Sequence, residues 1–120
     1  MAQRILVIDD NEDMRQLLAI RLRLDGYECI DVGENQDIAG LAMSEAPDLL
    51  ITDLMMNNPD GYEVCRRVRE FSAIPIIVFT SATVDASIRA NAVTAGANVV
   101  MSKLIRPTEL LTEIDNLLQV

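Results

Sequence analysis

Five short apolar runs, each followed by a stretch of helical periodicity, constrain this chain more than any other feature of its sequence. The runs are Ile5-Leu6-Val7-Ile8, Cys29-Ile30, Leu49-Leu50-Ile51, Ile76-Ile77-Val78-Phe79 and Val99-Val100-Met101. Three are near-continuous and rich in β-branched residues, the pattern of strands covered on both faces. Between the runs, Met14, Leu17, Leu18 and Leu22 make one helical stripe. Val64, Cys65, Val68 and Phe71 make another, and Leu110, Leu111, Ile114, Leu117 and Leu118 form the cleanest. A shorter helix is expected around Ile38, Leu41 and Ala42, and the Ala-rich stretch from Val84 to Ala95 carries the weakest helical signal. Gly26 stands where the first helix would stop, Asp60-Gly61 where the third would start, and Pro107 in the first turn of the last. Strands alternating with helices, five of each, imply right-handed crossovers and a parallel sheet with helices on both faces. With 120 residues and no linker, repeat or shift in composition, a single α/β domain over residues 1–120 is expected.

Charge and composition remove whole classes of function. Nineteen acidic residues against ten basic ones leave a net charge of −9. Such a field repels phosphate backbones, so direct nucleic-acid binding by this domain is not expected. Histidine is absent, which excludes imidazole bases and His-ligated metals. Cys29 and Cys65 match neither a zinc spacing nor a redox pair and are expected to be reduced and packed. No apolar run approaches the roughly 20 residues of a membrane span. Residues 1–15 are too acidic for a signal peptide, so the expected location is cytoplasmic, away from membranes.

The polar residues that close the strands carry the chemistry. The first strand ends in Asp9 and Asp10, the third in Asp53, the fourth in Thr80 and Ser81, and the fifth in Lys103, the only lysine. Ligand sites of open α/β sheets lie at the carboxyl ends of the strands. Four strands thus deliver three carboxylates, hydroxyls and an ammonium to one edge. Three carboxylates repel one another more than one lysine can offset. A hard divalent cation can complete the neutralisation, and oxygen-only ligands point to Mg²⁺. Such a site attracts a phosphoryl group, which a carboxylate can accept as an acyl phosphate.

This constellation resembles the receiver domain of bacterial two-component response regulators over residues 3–119. The resemblance rests on Ile5 through Asp10, Asp48 through Asp53 with Gly61 eight residues on, Pro75 through Ser81, Gly96-Ala97, and Lys103 with Pro107-Thr108-Glu109-Leu110. It implies a flavodoxin-like (βα)5 doubly wound sheet with strand order 2-1-3-4-5. It implies Asp53 as phosphoacceptor for a sensor histidine kinase or phosphotransfer protein. Asp10, Asp53 and the Met55 backbone carbonyl would bind Mg²⁺, with Asp9 acting through water, while Thr80 and Lys103 would contact the phosphoryl group. An output domain or partner protein would receive the signal, and a homodimer is compatible with the fold. The domain would be a phosphoacceptor rather than an enzyme, with self-phosphorylation and autodephosphorylation the most it would catalyse.

The departures from the family pattern fall beside the site rather than in it. Leu104 follows the lysine where proline is usual, Val100 replaces the switch aromatic, and Asn57 replaces a proline after the phosphoacceptor. Asn98 and Val99 replace an acidic pair, and the last helix carries Glu113 and Asp115 where arginines are common in DNA-binding members. Leu104 and Val100 favour, as the alternative function, an unphosphorylated pseudo-receiver acting as an interaction module, against which the intact acidic site counts. A Mg²⁺-dependent phosphatase would want a second Asp at Met55, and a flavodoxin a Gly/Ser/Thr-rich loop at Asp9-Asp10-Asn11-Glu12. Lys103 is expected to serve the ligand more than the fold. The arginines 66, 67 and 69 are read as a solvated face paired with Glu63, and Met55-Met56 as packing at the rim of the site.

Overall fold

The computed structural model describes residues 2–33, 37–56 and 59–119. In chain order they form β1 (Arg4–Ile8), α1 (Glu12–Leu24), β2 (Glu28–Val32), α2 (Ile38–Glu45), β3 (Leu49–Thr52), α3 (Gly61–Arg69), β4 (Ile76–Thr80), α4 (Ala86–Ala95), β5 (Val99–Ser102) and α5 (Pro107–Leu118). All neighbouring strands pair in parallel, in the order β2-β1-β3-β4-β5. This is the flavodoxin-like order that the family resemblance implies. The two-residue period of the strands sorts their side chains into two cores. Leu6, Ile8, Leu50, Ile76 and Val78 pack with α2, α3 and α4 on one face. Ile5, Val7, Leu49, Ile51 and Ile77 pack with Ala19 and Leu22 of α1 and Leu110 and Ile114 of α5 on the other. None of the described helices is long and apolar enough to cross a membrane.

Local chemistry sets the helix ends. The side chains of Asn11, Asp37, Asp60 and Asp85 accept from the backbone N–H of Met14, Gly40, Glu63 and Ile88, closing the first turns of α1 to α4. In α5 no side chain caps the N-terminus, and Pro107 starts the helix with a fixed φ and no N–H to satisfy. The weakly patterned α4 is fixed by its ends and its composition. Asp85 caps it, alanine favours the helix, and Gly96, at φ +116°, ends it. Its buried Ala92 and Ala95 let it lie close against the rest of that core.

Two apolar positions depart from the expected stripes. Leu17 is 65% exposed and Phe71 is 40% exposed, beyond the end of α3. Two helices cover the α1/α5 face of the sheet, against three on the other, so the apolar arc of α1 is wider than the surface available to it. An open groove of about 400 Å³ remains between α1 and α5.

Both cysteines are free and buried, as expected. Burial pushes each thiol up to about 11, Arg23 offsetting part of the rise at Cys29 and Arg69 and Arg66 at Cys65. A thiol that holds its proton more tightly when folded stabilises the native state fully below its unfolded value. That stability is lost as pH rises from the ordinary value of 9.0 through about 11. For Cys65 alone the loss amounts to roughly 2–3 kcal/mol. Denaturant unfolding should therefore show stability falling steadily above pH 9.0, and Cys65→Ala should flatten the fall.

Candidate functional site

Register brings the strand ends together. Ile8 pairs with Thr52, so the next residues, Asp9 and Asp53, leave adjacent strands side by side. Thr80 pairs with Ser102, and Lys103 begins the turn that follows. Its side chain crosses the end of β4 to the two carboxylates: Nζ lies 2.6 Å from Asp9 Oδ2 and 3.2 Å from Asp53 Oδ2. All three side chains are less than a tenth exposed. The remaining carboxylate oxygens are held by loop amides, Asp9 Oδ1 by the N–H of Asn11 at 2.9 Å and Asp53 Oδ1 by that of Met55 at 3.3 Å. Asp10 is exposed, yet it offers an oxygen within 4.8 Å of ligand atoms from both Asp9 and Asp53.

Formal charge decides what this arrangement favours. Three carboxylates and one ammonium leave two uncompensated negative charges at one strand edge. Burial alone would lower the Lys103 pKa, but the hydrogen bond to Asp9 and the charges of Asp9 and Asp53 outweigh it, and the net shift is upward. The lysine is therefore held as an ammonium at neutral pH. Its share of stability has the same sign as that of the thiols, lost only as pH rises through the elevated value. The donor set, oxygen only and converging from three carboxylates, fits a small hard cation such as Mg²⁺.

Lys103 is thus more deeply built in than the sequence indicated, since it bridges two buried carboxylates as well as closing a strand. Thr80 is fully buried and its Oγ1 accepts from the Ala82 N–H at 3.1 Å, which leaves its hydroxyl proton free to donate. Met56 is buried, but Met55 is 62% exposed, so only one of the pair packs. Glu63 pairs with Arg66 and Arg67 as expected. Arg69 instead turns to the carbonyl of Gly96 and Oδ1 of Asn98. Val100 is buried in the core shared with α3 and α4. Asn57 lies outside the described residues.

Three supporting residues escaped the sequence reading. Arg15 donates from Nη1 to the Asp9 carbonyl at 3.0 Å and from Nε to Asp31 at 3.1 Å, tying the first loop to β2. Asn11 both caps α1 and holds Asp9 through its backbone. Thr52 donates its hydroxyl to the Asp53 carbonyl at 2.9 Å. The one signal available was spacing, because Asn11 and Arg15 stand four residues apart and so lie one turn apart on a helix.

Gly61 works by the absence of a side chain. A Cβ there would stand 2.4 Å from the Asp53 carbonyl oxygen and 2.7 Å from the Leu54 Cα, both backbone atoms with no room to move. Gly61→Ala should push α3 off the loop that carries Asp53 and destabilise the fold by about 1–3 kcal/mol. Chemical denaturation of the two proteins checks this directly.

Comparison with known proteins decides the family. The pattern described as "Response regulator receiver domain" matches residues 5–115. The chain belongs to the response regulator receiver domain family. Among curated relatives, the receiver is 36% identical over 117 residues to "Probable transcriptional regulator ycf27" of Porphyridium aerugineum, covering 98% of this chain and 48% of that protein. It is 32% identical to "DNA-binding response regulator MtrA" of Mycolicibacterium smegmatis, covering 95% of this chain and 50% of that protein. The receiver therefore spans about half the length of the curated relatives it matches. The crystal structure of the BeF3-activated N-terminal receiver domain of Klebsiella pneumoniae RstA superposes with a TM-score of 0.91 at 24% identity, over 98% of this chain and 100% of that one. At that identity the likeness speaks to the fold alone. The receiver family is a signalling family, not generally classed as enzymes.

Proposed function

We propose that the chain acts as one phosphorylation-controlled receiver unit, with Asp53 accepting a phosphoryl group from a sensor histidine kinase or phosphotransfer protein. The observation that carries this reading is the convergence of Asp9, Asp10, Asp53 and Lys103 on a single strand edge. Asp10, Asp53 and the Met55 carbonyl would hold Mg²⁺, with Asp9 reaching it through water. When bound, the cation offsets the clustered carboxylates and the charge on the phosphoryl oxygens.

The rest is the work of the chain's own residues. A carboxylate oxygen of Asp53 forms the new bond to phosphorus as the donor's bond to phosphorus breaks. Lys103, already 3.2 Å from Asp53 Oδ2, exchanges that contact for a phosphoryl oxygen. Thr80 donates its free hydroxyl proton to another. The buried positions of Asp9 and Asp53 keep the group in a setting where each charge contact counts for more than in water.

The readout is proposed to run through α4. Val100 is buried and β-branched, so it has few rotamers through which to follow Thr80. Amide spectra with and without beryllofluoride, a mimic of the aspartyl phosphate, should show shifts near Asp53, Thr80 and residues 82–90. Shifts from Val99 through Leu118 should stay small. Large changes along α5, or a dimer formed through it on activation, would show that Val100 leaves the usual route open.

A further inference from the structure

The groove between α1 and α5 touches the acidic site at one end, where Asp9 and Lys103 line it, but most of its lining is apolar and plays no part in that site. α1 exposes three large apolar side chains at helical spacing: Leu17 at 65%, Ile20 at 53% and Leu24 at 78%. No other described helix exposes more than one. These three line the groove together with Phe79, Ile105 and Leu110. Its volume of about 400 Å³ is at the small end of ligand pockets, which run roughly 300–1,000 Å³. That volume is too small for paired acyl chains, and the line of Leu17, Ile20 and Leu24 along α1 suits one medium-length chain.

Charge then selects the head group. Of the nine arginines, Arg4, Arg15, Arg23, Arg66 and Arg67 pair with carboxylates. Arg69 and Arg89 reach backbone carbonyls. The guanidinium groups of Arg21 and Arg106 have no hydrogen bond or ion pair to any described residue, and both residues line this groove. Asp9 and Lys103, at the groove's other end, neutralise each other, so the two guanidinium groups with no partner among the described residues set the charge of its rim. Arg106 also precedes the one helix whose N-cap makes no side-chain hydrogen bond, so the positive end of that helix dipole adds to the rim.

We propose that this groove binds a single-chain amphipathic anion, its tail along Leu17, Ile20 and Leu24 and its carboxylate between Arg21 and Arg106. The proposal does not require Asp53 to be phosphorylated, although Asp9 and Lys103 of that site border the groove. The test is an amide and methyl NMR titration of the 120-residue chain with decanoate below its micelle concentration. Saturable shifts at Leu17, Arg21, Leu24, Ile105 and Leu110 are expected. Affinity should fall roughly fourfold for each methylene removed from the chain. The double variant R21Q/R106Q should keep its melting temperature and bind decanoate at least about tenfold more weakly. The proposal is overturned if decyltrimethylammonium binds as well as decanoate, or if the shifts scatter over Met43 and Val93. It is also overturned if nothing saturates, as for a face that accepts only the helices of a protein partner.

Discussion

Asp53→Ala should take up no phosphoryl group under any condition that labels the parent protein. Incubated with acetyl phosphate and Mg²⁺, the parent should gain one phosphoryl group by intact mass, and EDTA should abolish the gain. The expectation comes from placement. Asp9 is committed to Asn11 and Lys103, and Asp10 is exposed. Asp53 is buried as well, but its lysine and amide contacts, at 3.2 and 3.3 Å, are longer than those of Asp9, at 2.6 and 2.9 Å, so its oxygens are the freer to attack phosphorus. Labelling that survives Asp53→Ala, or that ignores EDTA, would refute the assignment. A parent that never labels, from acetyl phosphate or from a kinase, would instead identify a receiver that acts through binding alone.

Lys103→Met should lose most of the fold's tolerance of its own acidic site. The substitution keeps the apolar stem and removes the ammonium between Asp9 and Asp53. Two buried carboxylates would then face each other with Asp10 nearby and no fixed cation. Breaking a buried pair costs about 3–5 kcal/mol. The exposure of Asp10 admits water to one side of the cluster, so roughly 2–3 kcal/mol is expected here. The diagnostic feature is rescue, because Mg²⁺ should restore much of the lost stability by binding the same oxygens. Melting curves with and without Mg²⁺ decide the matter. A loss that Mg²⁺ leaves untouched would mean that the lysine stem, not its charge, was needed.

The architecture was open to reading because parallel strands covered on both faces must be apolar along their length, and helices between them must carry period. β1, β3 and β4 therefore announced themselves, and their last residues gave the edge where Asp9, Asp53 and Thr80 sit. What stayed hidden were relations that depend on distance in space between residues remote in sequence. Lys103 and Asp9 are 94 residues apart, and nothing in either local sequence shows that one ammonium holds two carboxylates. Arg15 looked like an ordinary exposed helix residue until its contacts with the Asp9 carbonyl and Asp31 were visible. The exposure of Leu17 was equally illegible, since a periodic stripe records which face is apolar but not how much sheet is available to cover it.

Arg69 and Asn98 give α4 a mechanical character. Asn98 Oδ1 accepts from the Ile76 N–H at 2.8 Å and from Arg69 at 3.0 Å, while Arg69 also holds the Gly96 carbonyl at 3.0 Å. The trailing end of α4 is thereby riveted to α3 and to the start of β4, at the end of the sheet away from the carboxylates. Its leading end is joined to Thr80 by a short loop in which Ala82 already leans on the Thr80 hydroxyl. A helix fixed at one end and tugged at the other behaves as a lever with its fulcrum at Gly96. On the proposed readout, a small displacement at Thr80 would produce its widest sweep at Asp85 and almost none at Ala95. Cutting the rivet with Arg69→Ala would turn that graded swing into a loose drift of the whole helix.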